Sequence, residues 1–186
     1  MSVKPEREIT SPVNICNEAG DLNRDCIGWS RRPLHIGNLK GHWPRKKLWS
    51  YWNVTGKDFS FSLTLANVDY IGLASGYFLD AAHKELIEQT EVLPFGAGVK
   101  MPLTVEENIR FENKKIFISV AYEGETIRMQ FRSPSMQGRK VEADITISYP
   151  KDHETLSVLV PWSDKQFQYT SKHNTMPASG TVTVGD

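Results

Sequence analysis

The pattern that most constrains this chain is an alternation, with a period of two residues, between large apolar and small or polar side chains. From Phe59 to Ala66, Phe and Leu occupy the odd positions, whereas Ser, Thr and Ala occupy the even ones. Successive side chains of a strand point to opposite faces, so this spacing predicts a strand with one buried face. The same alternation recurs in three later segments, 116–122, 127–132 and 141–149. The core is therefore predicted to be built from strands.

Weaker strand patterns fill much of the remaining chain. They predict six further strands, at 49–54, 69–79, 86–92, 156–161, 167–171 and 181–184. No amphipathic segment of helical period is longer than about three turns. Short segments that contain Gly, Pro or Ser suit hairpin connections at 123–125, 133–138 and 150–153. The prediction is an all-β fold with an antiparallel meander.

Roughly ten short strands with one apolar face each must either stack as a sandwich or close into a barrel, because a large open sheet leaves aggregation-prone edges. We predict a lipocalin-like (calycin-type) β-barrel, since pairing sequence neighbours is the simplest way to close the sheet. Residues 1–28 lack periodicity and predict an irregular lead-in to a barrel domain at 29–186. Because 180–186 is itself typical of a strand or its turn, we expect this domain to be truncated at its C-terminus.

Composition narrows the function classes. The chain has 22 Lys and Arg against 22 Asp and Glu, and this balance argues against nucleic acid as the main partner. No apolar run reaches the roughly 18 to 20 residues of a membrane span, and no signal-peptide core is present, so a cytoplasmic location is predicted. Two cysteines, Cys16 and Cys26, and scattered histidines match no metal-ligand spacing. We expect free thiols, no metal and no cofactor.

The clearest candidate for a ligand site is the stretch from Trp29 to Val54. It holds four of the five tryptophans and six Lys or Arg residues, with no acidic side chain. Arginine suits bidentate contact with a carboxylate, and aromatic rings can cover an apolar body. The predicted binding residues here are Trp29, Arg31, Arg32, His35, Trp49, Tyr51 and Trp52. Trp49 and Tyr51 should point to one face of their strand and Trp52 to the other. The alternative is that the Arg stems only cover Trp rings.

A second candidate group lies at 161–174. His173 is predicted as a general base, with Lys172 and Asn174 as ligand-binding residues that polarise a carbonyl. Asp69 would be the second proton carrier, at the entrance of a strand. Ser171 lacks the GxSxG setting of a nucleophile elbow. The alternatives are a hydrogen-bonded polar hairpin for the group and a plain turn residue for Asp69.

Three long segments also resemble a known family. They are GWSRRPLHIGNLKGHWPRKKLWSYWNVTG (28–56), LANVDYIGLASGYFLD (65–80) and LVPWSDKQFQYTSKHNTMPASGTV (159–182). In this order they resemble DUF2804, a bacterial family of uncharacterised proteins whose members are roughly twice this long. By analogy with carotenoid 1,2-hydratase-like proteins, the resemblance implies the first of two lipocalin-like halves. Such an analogy of architecture carries no chemistry.

Three functions are consistent with these patterns. The first is a β-barrel that binds a small apolar or amphipathic molecule. The second is a cofactor-free enzyme of the hydratase, isomerase or cyclase type, in which Asp69 and His173 move protons. The third is an interaction scaffold that pairs with a second half-domain or forms a homodimer.

Overall fold

A computed structural model describes residues 6–41 and 43–185, so residues 1–5 of the predicted lead-in, His42 and Asp186 lie outside the described part. The described chain is built from strands and one short 3₁₀ helix at Arg24–Cys26. The strands are β1 (Val13–Asn14), β2 (Gly28–Ser30), β3 (His35–Ile36), β4 (Leu48–Thr55), β5 (Phe59–Asn67), β6 (Ile71–Asp80), β7 (Glu85–Pro94), β8 (Ile109–Glu112), β9 (Phe117–Glu123), β10 (Thr126–Met136), β11 (Arg139–Ser148), β12 (Leu156–Ser163), β13 (Gln166–Lys172) and β14 (Ala178–Val184). The all-β prediction is confirmed.

The chain forms two compact units. The first unit contains 6–41, Pro102–Glu107 and Pro150–Met176, and the second contains 43–101, Asn108–Tyr149 and 177–185. Each unit is thus assembled from separate stretches of sequence.

Two antiparallel sheets make up the second unit. The four-stranded sheet has the order β4-β5-β6-β7, and the five-stranded sheet has the order β14-β11-β10-β9-β8. Their inner faces meet at Phe61 of β5 and Phe131 of β10, whose ring centroids lie 5.4 Å apart in an edge-to-face arrangement. Both side chains are completely buried. The alternation that predicted β5 therefore marks the face that packs against the other sheet.

The lipocalin-like barrel is not confirmed, because no sheet of the described residues closes on itself. Alternation requires only that one face of each strand be buried, and two stacked sheets satisfy that requirement as well as a barrel does. The meander also stops after β11, which pairs with β14, whereas β12 pairs with β13 and β2 in a separate sheet. The segment 150–153 is therefore a connection between sheets, and the predicted hairpin there is wrong.

Two local predictions also change. The chain does not turn at 133–135: β10 continues to Met136, and the tight turn is at Gln137 and Gly138. The register between β10 and β11 shifts between Ser133 and Met136, an irregularity that accommodates Pro134 within a strand. Strand β8 was not predicted, because an alternation of four residues is too short to distinguish from chance.

Gly76 is required where β6 crosses the ring of Phe131. A Cβ atom at this position would lie 2.5 Å from the ring, inside a packed core. We predict that Gly76→Ala lowers the free energy of unfolding by about 1 to 3 kcal/mol, because the ring or the strand must shift. Urea denaturation measures this change, with Ser75→Ala on the opposite face of β6 as the control. An unchanged midpoint for Gly76→Ala would contradict the packing of β6 against Phe131.

The first unit is organised around the sheet β13-β12-β2 and the short parallel pair β1-β3. One face of the three-stranded sheet contributes Leu159 to a buried apolar cluster, against which Phe167 and Tyr169 pack. The other members of this cluster come from the predicted lead-in and are Ile15, Cys16, Leu22 and Cys26. The lead-in therefore supplies core residues to this unit.

Candidate functional site

One face of the three-stranded sheet changes from apolar to polar along its length. Ser157 is paired with Ser30 on one side and Ser171 on the other, and Leu159 is paired with Tyr169. Residues paired across strands share a face, as do residues two apart along a strand. Leu159 and Tyr169 form the apolar end of this face, and the serines form the polar end.

A chain of hydrogen bonds, which we call the hydroxyl–imidazole row, follows the polar end. It consists of Thr155, Ser157, Ser171 and His173. The Oγ1 of Thr155 lies 2.8 Å from the Oγ of Ser157, which lies 2.8 Å from the Oγ of Ser171. The Nε2 of His173 lies 3.3 Å from the Oγ of Ser171. Thr155 and Ser157 are buried, so the row extends from the interior to the half-buried His173.

The direction of every bond in the row follows from its inner end. There the Thr155 hydroxyl donates to the Arg31 carbonyl oxygen at 3.2 Å, and a carbonyl oxygen can only accept. Each hydroxyl has one proton, so Ser157 donates to Thr155, Ser171 donates to Ser157, and Ser171 accepts from His173. In the neutral His173 ring, the proton is therefore on Nε2 and the lone pair is on Nδ1. Because the Ser171 proton points to Ser157, His173 does not activate Ser171 as a nucleophile.

His173 is uncharged at neutral pH. Burial of the ring, followed by the nearby His153, lowers the pKa of His173 to about 4, while Glu106 acts in the opposite direction. The His153 ring stacks on it, with centroids 6.0 Å apart and an interplanar angle of 17°. The imidazole is therefore a hydrogen-bonding group of fixed tautomer.

Two buried polar atoms beside the row make no hydrogen bond within the described residues. His35 is 1% exposed, and its Nε2 lies 2.8 Å from the Cys26 carbonyl oxygen, which leaves an acceptor at Nδ1. The Tyr169 ring contacts the His35 ring at 4.6 Å between centroids, and the Tyr169 hydroxyl is the second such atom. Burial raises the pKa of Tyr169, so this hydroxyl stays protonated. The hydroxyl groups of Ser157 and Ser171 act in the opposite direction on the pKa of Tyr169. Neither of them makes a hydrogen bond of normal geometry to the Tyr169 hydroxyl.

The two predicted arginines, Arg31 and Arg32, bond to residues near the row. Arg31 Nε lies 3.2 Å from Glu8, its Nη1 lies 3.0 Å from Glu154, and its guanidinium sits 5.2 Å from the Trp29 ring centroid. Side-chain protons of Arg32 are donated to the carbonyl oxygens of Lys151 and His153. Both arginines therefore bond to the segment 151–154, which carries His153, and their role as ligand-binding residues stays a prediction.

The other predicted site residues have different surroundings. Lys172 and Asn174 are exposed on either side of His173. Trp49, Tyr51 and Trp52 belong to the second unit, and the predicted split of their side chains between two faces of β4 is confirmed: Trp49 and Tyr51 are exposed, whereas Trp52 packs edge-on against Tyr122.

Asp69 occupies the turn between β5 and β6 in the second unit. Its φ angle is 67°, a conformation that turn residues adopt. Its carboxylate accepts from the Lys46 backbone N–H at 3.1 Å and lies 3.5 Å from the Lys46 ammonium. Asp69 is therefore a turn residue whose carboxylate is paired with Lys46, and its role as a proton carrier stays a prediction.

Sequence reasoning missed Thr155, Ser157 and His153 as members of this site. The burial of Thr155 and Ser157 runs against the local pattern, because Leu156, Val158 and Val160 alternate as large apolar residues, yet Leu156 and Val160 are exposed. Buried polar residues need partners. Which partner each one finds depends on the pairing of β12 with β13, and sequence alone does not specify it.

Other kinds of site find no support within the described residues. No group of three His, Cys, Asp or Glu side chains there is arranged to hold a metal ion. Cys16 and Cys26 are free and buried, and burial raises the pKa of Cys26 to about 11, so it remains a thiol. None of the described helices has the length and apolar character required to cross a membrane.

The chain is thus an all-β protein with antiparallel sheets, and one face of its β13-β12-β2 sheet carries the hydroxyl–imidazole row. The family model described as "Domain of unknown function (DUF2804)" matches residues 6–186. The chain therefore belongs to the DUF2804 family, as its sequence motifs predicted. No curated protein and no solved structure matches it.

Proposed function

We propose that this protein binds a small amphipathic molecule on the polar face of the β13-β12-β2 sheet, through a neutral hydroxyl or carbonyl group. The observation that carries the proposal is the hydroxyl–imidazole row, with the Tyr169 hydroxyl and the His35 Nδ1 buried beside it. Buried polar groups are normally hydrogen-bonded, and a polar atom of a ligand can supply the partner. The adjoining side chains of Phe167 and Tyr169 suit its apolar part.

The charge of the site favours a neutral polar group over an acid. The side chains of the row and of Tyr169 are uncharged at neutral pH, as is His35, whose pKa is lowered by burial. The guanidinium groups of Arg31 and Arg32 are already bonded within the chain. A carboxylate would have to displace these bonds to use either arginine.

Binding is favoured over catalysis by the basicity of His173. A general base works best when its pKa lies near the operating pH, and the pKa of His173 is about 4. Such an imidazole accepts hydrogen bonds at neutral pH but removes protons poorly. The Asp69 carboxylate, the second predicted proton carrier, is engaged by Lys46, which also favours binding over catalysis.

Native mass spectrometry of the purified protein, followed by organic extraction, tests the proposal directly. We expect a bound neutral amphiphile. Isothermal titration with 1-decanol and with decanoate, which share a chain but differ in head group, should show tighter binding of the alcohol. Tighter binding of decanoate would contradict the neutral site.

Variants that each remove a single hydroxyl group test where on the sheet the ligand binds. Tyr169→Phe and Ser171→Ala each remove one hydroxyl, and each should weaken 1-decanol binding about tenfold, the effect of one lost hydrogen bond of about 1.4 kcal/mol. Ser163→Ala removes an exposed hydroxyl outside the row and should leave binding unchanged. Equal affinities in all three variants, or no binding of either probe and no extracted molecule, would refute the proposal.

A further inference from the structure

The outer face of the four-stranded sheet is a regular grid of sixteen side chains, four from each strand. The register places them in four cross-strand rows: Trp49, Ala66, Leu73 and Val92; Tyr51, Thr64, Ser75 and Thr90; Asn53, Ser62, Tyr77 and Glu88; and Thr55, Ser60, Leu79 and Leu86. The alternate residues of the same strands include Phe61, Leu63 and Leu65, which form the core. The grid is therefore the face of the sheet turned away from the core.

The composition of this grid is unusual for an outer surface. Eight of its sixteen side chains carry hydroxyl groups, one is an amide, and Glu88 bears the only charge. Charged residues make up 24% of the whole chain, so about four would be expected here. The middle two rows form a polar but almost uncharged band across the four strands, in which seven side chains are exposed or half-buried and Ser62 is buried. With strands about 4.8 Å apart, this band is about 14 Å long.

Hydrogen bonds hold the polar side chains of the grid in place. The hydroxyl of Tyr51 lies 3.2 Å from that of Tyr77, and Tyr77 donates to the Asn53 Oδ1 at 3.4 Å. Ser60 donates to the same Asn53 oxygen at 2.7 Å. Tyr51 and Tyr77 belong to β4 and β6, which are not adjacent, so their contact spans β5. Ordered side chains lose less conformational entropy when a ligand binds.

Two aromatic rings flank one end of the band. Trp49 is 49% exposed and Tyr51 is 53% exposed, and they stand two residues apart on the same face of the edge strand β4. The flat face of an aromatic ring carries partial negative charge, which attracts the weakly positive C–H groups on the face of a sugar ring. Exposed rings beside fixed hydroxyl groups therefore complement a molecule with C–H faces and hydroxyl edges.

We propose that this face binds a neutral polysaccharide chain, with Trp49 and Tyr51 stacking on sugar rings and the middle rows bonding sugar hydroxyls. The absence of Lys and Arg from the grid disfavours nucleic acid and anionic lipid, which are held by cations. This site lies in the second unit and does not depend on the hydroxyl–imidazole row.

Isothermal titration with cellohexaose, xylohexaose, mannohexaose and maltohexaose tests the proposal, with an oligogalacturonate of the same length as the charged counterpart. At least one neutral hexasaccharide should bind with a millimolar or lower Kd, and the oligogalacturonate should bind at least tenfold more weakly. Trp49→Ala should weaken the binding at least tenfold, and Tyr51→Phe several-fold, without a change in Tm. Trp162→Ala is the matched control, because Trp162 is a 65% exposed tryptophan of the first unit.

Three outcomes would overturn the proposal. The first is that none of the four neutral hexasaccharides binds at millimolar concentration. The second is that Trp49→Ala and Trp162→Ala bind as the unaltered protein does. The third is a dimer, detected by analytical ultracentrifugation, that Trp49→Ala disrupts and Trp162→Ala does not, because the face would then be covered by a second copy of the chain.

Discussion

Replacing Phe61 by Ala should lower the free energy of unfolding by about 3 to 5 kcal/mol. The Phe61 ring is 0% exposed and packs edge-to-face on Phe131, which belongs to the opposite sheet of the second unit. Its removal loses the transfer free energy of the ring, leaves a cavity between two sheets, and deprives Phe131 of its aromatic partner. Strands on both sides limit how far the cavity can collapse, which places the cost in the upper range for core truncations.

Equilibrium urea denaturation of the full chain, followed by tryptophan fluorescence and circular dichroism, measures this loss. Leu86→Ala is the control, because Leu86 is a large apolar residue of the same sheet whose side chain is half exposed on the other face. It should cost less than about 1 kcal/mol. A cost below about 1 kcal/mol for Phe61→Ala would mean that the alternation of β5 has been assigned to the wrong face.

Acidification from pH 7 to pH 4 should destabilise the protein by about 3 kcal/mol through His173 alone. Its folded-state pKa of about 4 lies below the ordinary histidine value of 6.5, and the main cause is burial. Between these two values the unfolded chain binds a proton that the folded protein excludes, so stability falls as the pH falls through this window. Above pH 6.5 the ring is neutral in both states and the effect vanishes.

Urea denaturation at several pH values tests this dependence, and His173→Gln isolates it, because glutamine does not titrate. The stability difference between pH 7 and pH 4 should be about 3 kcal/mol smaller in His173→Gln than in the unaltered protein. Carboxylates such as Asp80 and Asp144, whose pKa values are lowered by His83 and Arg128, contribute equally to both proteins and cancel.

His83→Gln provides a contrast of opposite sign. Asp80 raises the pKa of the exposed His83, so this histidine stabilises the protein at low pH and the contribution is lost as the pH rises. His83→Gln should therefore make the acid loss slightly larger. If His173→Gln and the unaltered protein respond identically to acid, His173 is not buried beside His153 as described.

The strands of this protein are largely predictable from local pattern. In β5 every second residue enters the core, and the segment 59–66 predicted this strand within one residue at its end. The alternation reflects the two-residue repeat of an extended backbone, so it needs no knowledge of distant residues. The same argument placed Trp49 and Trp52 on opposite faces of β4.

The candidate site was only half predictable, and the reason is distance along the chain. Ser171 lies in β13 and His173 directly follows the end of that strand, so their closeness could be read from sequence. Their partners Ser157 and Thr155 join them only because β12 pairs with β13 in one particular register. A shift of one residue in that register would turn the serine hydroxyls to the opposite face.

Residue order alone, in the form of alternation, composition and motifs, determined the all-β class, the faces of strands such as β4 and β5, and the membership in the DUF2804 family. Tertiary structure left the sheets of the described residues open, divided the chain into two units, and assembled the row from Thr155 to His173. Alternation reports whether a side chain is buried but not what it is buried against, because that depends on contacts between distant segments. Those contacts bond Arg32 to the segment that carries His153, and they give His173 the buried surroundings that lower its pKa.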